Sequence, residues 1–141
     1  MFYMASTKIS ESKTAGEVSE ELAKAGAGRI MTEYEFGSAC GISFMIERNG
    51  VVLSFRLPLN WEGVLQSMLL DKTTPRHFCI EDQARRVAWR VILRWVQAQI
   101  ALIESGSATL DQVFLPYLQT GDGKTVYQRF SENKFKLLGA S

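Results

Sequence analysis

Arg86, Arg90 and Arg94 stand four residues apart in a stretch with helical periodicity, and Gln97 continues the line. Side chains at that spacing stack on one helix face. Three guanidinium groups would therefore form a ridge, with Arg85 beside it. A guanidinium forks onto two phosphate oxygens at once, and a row of them is the chemistry of contact with a nucleic-acid backbone. Arg48 and Arg56, on neighbouring strand candidates, would extend the track. A solvated helix face presents the same pattern, and so does a set of ion pairs with Glu62, Glu81 or Asp82.

Other reactive residues offer less. His77 and Cys79 lie close together, but two ligands do not make a zinc site. The one histidine has no serine or cysteine in a nucleophile motif to serve. Gly121-Asp-Gly-Lys-Thr125 has the tail of a phosphate-binding loop. The position five before its Gly-Lys-Thr, where that loop needs glycine, is Leu118, so the stretch reads as a turn. Glu33 and Glu35 share a strand face and read as a solvated edge. A catalytic site needs converging partners. None is visible, so the expectation is a non-enzymatic protein with no catalytic residue, metal or cofactor.

These residues must be positioned by a chain of 141 residues, a length that fits one domain with a real core. Hydrophobic residues make up 46% and charged residues 22%, which excludes a disordered chain. The net charge of +1 excludes a histone-like basic protein, though not a local basic face. Residues 61–100 hold 6 basic and 4 acidic residues, so the excess falls where the ridge lies. Cys40 and Cys79 imply no disulfide framework and suit a reducing cytosol. The apolar run from Val87 to Ile103 is broken by Arg90, Arg94, Gln97 and Gln99, so no membrane span is expected. Met1-Phe2-Tyr3-Met4 lacks the form of a signal peptide, and Met4 is an alternative start.

The expected fold is α+β. Residues 1–13 read as a flexible arm and 14–141 as the domain, opened by a Thr14–Glu17 capping box. A helix would run to about Ala25 and end at Gly26 and Gly28. Strands over Arg29–Phe36, Ala39–Glu47 and Val51–Leu57 would form a three-stranded antiparallel meander, with Asn49-Gly50 as its clearest hairpin signal. The C-terminal half is helical: a short helix after Asn60, a long helix near 81–104, a short piece after Thr109, and a last turn at 125–130. On the long helix, Val87, Val91, Ala98 and Leu102 form a core-facing row that Trp95 can join, and Ile92, Val96, Ile100 and Ile103 a second apolar row. Tyr34, Phe36, Phe44 and Phe55 would be core, or a platform for unpaired bases. Trp89, Phe114, Tyr117 and Phe135 are candidates for a protein interface, and the tail from Phe135 to Leu138 for docking.

Ser54-Phe-Arg-Leu-Pro58, Gln83-Ala-Arg-Arg-Val-Ala-Trp-Arg90 with Trp95 and Gln99, Val113-Phe-Leu-Pro-Tyr117 and Gly123-Lys-Thr125 together resemble a family of small proteins encoded by phages and prophages. The resemblance runs from about Ala15 to Leu138. It implies a bacterial host cytoplasm as the setting and carries no activity with it. The order helix, three strands, helix is also similar to the double-stranded-RNA-binding fold and to Rad52-type single-strand annealing proteins. That likeness implies Arg85 and Arg86 as phosphate contacts, although residues 60–80 form an insertion that the fold lacks. Two functions are therefore expected. One is a phage accessory that binds or anneals single-stranded DNA through Arg85, Arg86, Arg90, Arg94, Arg48 and Arg56. The other is a homo-oligomeric module that binds a host or phage protein.

Overall fold

Ser10 opens the first helix, α1 (Glu11–Lys24), by accepting a hydrogen bond from the Lys13 N–H at 3.2 Å. The cap expected at Thr14 lies one turn inside instead. Thr14 is buried there, with its hydroxyl facing the long helix. Gly26, at φ 107°, ends α1, and the Ala27 N–H returns to the Leu22 carbonyl. The computed structural model describes residues 1–136.

Strands β1 (Arg29–Glu35), β2 (Ser38–Arg48) and β3 (Val51–Arg56) pair antiparallel in that order. Two-residue turns join them, and both central residues of each turn have positive φ: Phe36 at 50° and Gly37 at 81°, Asn49 at 52° and Gly50 at 78°. This mirror-image turn matches the twist of the flanking strands. Asn-Gly adopts it readily, whereas Phe36 is an aromatic residue in backbone space that side chains avoid. β2 carries one extra residue, Cys40, between Gly41, opposite Glu33, and Ala39, opposite Tyr34. Ile42, Phe44, Ile46 and Phe55 form the inner face of the sheet and are buried.

The C-terminal half comprises α2 (Trp61–Leu70), a 3₁₀ turn at Arg76–Phe78, α3 (Glu81–Glu104), α4 (Leu110–Phe114), a second 3₁₀ turn at Leu115–Tyr117, and α5 (Val126–Glu132). At 24 residues, α3 is about 36 Å long, and it serves two cores. Trp89, Ile92, Leu93, Val96 and Ile100 close over the sheet with α1 and α4. Ala84 and Val87 face Met68 of α2 and Ala5. The row expected to face the core is corrected in part: Val87 is buried, but Ala98 and Leu102 are exposed, and Ile92, Val96 and Ile100 of the second row are the residues that enter the main core. Among the described residues no helix is long and apolar enough to cross a membrane.

The expected flexible arm is instead docked along residues 2–7. Gln83 is buried, and its side-chain amide donates to the carbonyls of Ala5 (2.7 Å) and Thr7 (2.8 Å). A buried amide needs acceptors, and covering the Ala84–Val87–Met68 patch with Ala5 supplies them. Thr74 Oγ1 accepts from the Phe2 N–H at 2.8 Å and itself donates to Asp71. The side-chain and backbone donors of Thr73, with the Thr74 hydroxyl, pull the Asp71 carboxyl down to about 2.

Candidate functional site

The arginine ridge exists as a line on α3, but α1 covers its middle. Arg90 is 5% exposed; its Nη1 donates to Glu17 at 3.1 Å and lies 3.4 Å from the Thr14 hydroxyl. An open phosphate track through Arg90 is thereby corrected to a helix–helix seam. Thr14 and Glu17 stand on the face of α1 that also carries Val18, and they meet the Nη1 end of a guanidinium whose Nε is buried with no hydrogen-bond partner among the described residues. Arg86, on one side, donates to Gln83 at 2.9 Å, and Arg94, on the other, donates to Gln97 at 3.0 Å and is exposed.

The other candidate arginines are paired too. Arg85 is held by Glu81 at 2.8 Å, with its guanidinium carbon 4.3 Å from the centre of the Trp61 ring. The Glu81 hydrogen bond raises its pKa. Of the pairings expected for the ridge with Glu62, Glu81 or Asp82, only one with Glu81 forms, and it forms at Arg85 beside the ridge; the contact with Trp61 adds a cation–π attraction. Arg48 meets Asp111 at 2.9 Å, tying the end of β2 to α4. Arg56 pairs with Glu33 across the outer face of the sheet. A side chain on Gly41 would lie 3.4 Å from Arg56 Nη2, so its absence is what lets the pair close over the central strand.

Two of the expected interface aromatics are core. Trp89 is fully buried, and its indole N–H donates to the Ala39 carbonyl at 2.8 Å, beside the extra residue in β2. Phe114 is fully buried, edge-on to Phe44 and to Trp95 at 5.4 Å. Both belong to the main core that α1, α3 and α4 close over the sheet, not to the second core under α2. Tyr117 is half-buried against Trp95 at 5.4 Å. Phe135 is exposed and edge-on to Phe130 at 5.5 Å. Leu137 and Leu138, expected to dock with it, lie outside the described residues. Phe44 and Phe55 stack on each other at 5.0 Å inside the core, so no base platform forms there.

Gly121–Thr125 is a turn, as its sequence indicates. Asp122 accepts from the Thr120 hydroxyl and the Lys124 N–H, Lys124 pairs with Glu132 at 2.8 Å, and Thr125 caps α5. The Thr120 hydroxyl, before the other contacts, lowers the Asp122 pKa.

What remains open was singled out from the sequence only in part: Tyr34 and Phe36, read there as core or a platform, are exposed and not core. A groove of about 610 Å³ runs between the Leu115–Tyr117 turn and α5. Leu115, Pro116, Val126, Tyr127 and Phe130 line it, together with Thr120, Arg129, Asn133 and Lys136. The sequence shows Val126, Tyr127 and Phe130 as apolar, and the structure buries none of the 7 residues of α5. The second open region is β1, an edge strand with β2 on one side only. Tyr34 is 62% exposed near its end and Phe36, in the turn beyond, 99%.

Compared with known proteins, the chain matches no family model, no curated protein and no solved structure.

Proposed function

We propose that the chain is a non-enzymatic interaction module that binds a host or phage protein through the groove beside α5. The carrying observation is that groove: an apolar cleft on the surface, large enough for one or two bulky side chains, beside helices too short to bury it themselves. Exposed apolar concavities rimmed by polar residues are where small domains meet partners. The state of the arginines supports this reading over the nucleic-acid one. Arg48, Arg56, Arg85 and Arg90 each hold a carboxylate of the same chain, and a phosphate would have to displace it. The partner is expected to present a helix or loop with a large apolar anchor, as in helix-in-groove recognition. The resemblance to phage-encoded proteins sets the proposal in an infected bacterial cell.

A photo-reactive amino acid at Tyr127, introduced in bacterial cells, tests it. Discrete protein adducts that Val126→Glu abolishes without lowering the melting temperature are expected. No protein adduct at Tyr127, together with saturable binding of single-stranded DNA, would favour the annealing accessory instead.

A further inference from the structure

We infer that the free edge of β1 pairs with the same edge of a second copy, joining two three-stranded sheets into one six-stranded sheet about a twofold axis through Thr32. This surface is separate from the groove beside α5, and the inference stands without it.

The backbone supplies the first part of the case. Leu57 N–H donates to the Ile42 carbonyl at 3.0 Å, continuing the register of β2 with β3. In an antiparallel ladder, bonding alternates from residue to residue. Ile42, Phe44 and Ile46 therefore bond toward β3, and Gly41, Ser43 and Met45 toward β1. The Gly28 N–H bonded to the Met45 carbonyl at 2.9 Å shows that this carbonyl faces the β1 side, although the donor stands one residue before Arg29, the register partner of Met45. Through the β1 register, Arg29, Met31 and Glu33 use their amides on β2. Ile30, Thr32 and Tyr34 then aim theirs outward, away from the sheet. The extra residue of this hairpin lies in β2, so β1 is regular along its length. It contains no proline, and its charged residues are Arg29, Glu33, which Arg56 holds, and Glu35.

The side chains supply the second part, and they name the occupant. β1 reads Arg-Ile-Met-Thr-Glu-Tyr-Glu. Folded antiparallel on itself about Thr32, it sets Thr32 against Thr32, Ile30 against Tyr34 and Arg29 against Glu35. The residues with outward amides, 30, 32 and 34, meet only one another, so every pair of that register that needs backbone bonds can make them. Arg29 and Glu35 fall in the alternate pairs, where facing side chains approach most closely. Both are exposed, and neither has an ion-pair partner among the described residues, unlike Arg48, Arg56, Arg85 and Arg90. The twofold axis gives each one partner, so the pair forms twice, once at each end of the paired strands. One step further along the same register, Phe36 reaches the level of Gly28 of the second copy, where no side chain competes for the space. Its exposure and its left-handed backbone are then features of the isolated chain that the pairing uses.

Sedimentation equilibrium of the full chain over a wide concentration range reads the association. A reversible dimer is expected. Arg29→Glu alone and Glu35→Arg alone each put like charges opposite one another at both ends, and each should weaken the dimer by roughly tenfold or more. An equimolar mixture of those two variants should recover it, because each then offers the other opposite charges at both positions. Thr32→Pro places a ring on the outward amide, which a free edge tolerates, and should abolish the dimer. A chain that stays monomeric throughout overturns the inference. So does a dimer whose strength is unchanged by both charge reversals, or a mixture of them no tighter than either variant alone; these readings hold even if Thr32→Pro fails to fold.

Discussion

The seam between α1 and α3 and the open surfaces at β1 and α5 are made from the same kinds of side chain, but they differ in whether those side chains have found partners. In the seam, an arginine that the sequence presents as a ridge is enclosed, and its charge is met by Glu17. At β1, Arg29 and Glu35 lie on the surface with no such partner among the described residues. At α5, apolar residues line a groove rather than a core. Charge or hydrophobicity alone would have located function on the long helix. The proposed binding surfaces lie instead at the edge and the groove, away from the arginines already held by carboxylates of the same chain.

Substitutions can break this contrast from the satisfied side. Trp89→Ala removes the largest core side chain and leaves the Ala39 carbonyl unpaired. It should cost about 3–5 kcal/mol in denaturant unfolding. Arg90→Ala should cost roughly 2–3 kcal/mol, below the usual figure for a deep pair because Glu17 is partly exposed. Arg94→Ala, one turn along on the same ridge, should stay within about 0.5 kcal/mol. Similar losses at the two positions would mean the ridge is uniform and the seam no seam.

Smaller effects sharpen the contrast. Phe36→Asn places a residue tolerant of positive φ in the first turn, matching Asn49 in the second. It should raise the stability of the monomer by about 0.5–1 kcal/mol, as measured by thermal unfolding at low concentration. No gain would mean that Phe36 already makes compensating contacts. Asp71 belongs with the satisfied groups. Its folded pKa of about 2 lies below the ordinary 3.8. Its contribution should therefore be present above that ordinary value and disappear as pH falls from about 4 to about 2. Asp71→Asn should flatten that part of the stability–pH curve.

Much of the fold was legible because local chemistry decided it. Asn49-Gly50 specifies a tight hairpin, Gly26 and Gly106 end helices at positive φ, and the alternation in β2 selects Ile42, Phe44 and Ile46 for the core. The site was less legible because distant chemistry decided it. Four-residue spacing puts Arg86, Arg90 and Arg94 in line, but it does not say what lies across from them. The clue was Thr14 and Glu17, polar positions beside the apolar Val18 of α1, which make sense once a guanidinium faces them. The docking of residues 2–7 was hidden for the same reason, since Gln83 meets Ala5 across 78 positions. The α5 groove was hidden by shortness: with 7 residues the helix has too little periodicity to show which face is apolar. The self-complementary order about Thr32 is plain in the sequence, but it gains meaning only when β1 is known to be an edge.

The central claim is that the arginine ridge serves the fold and that binding belongs to other surfaces. Fluorescence anisotropy of a labelled single-stranded oligonucleotide, titrated with the full chain at low salt, tests it most directly. The account predicts no saturable binding at micromolar protein. Saturable binding that weakens steeply with salt, and that Arg86→Ala and Arg94→Ala reduce while the fold stays intact, would contradict it.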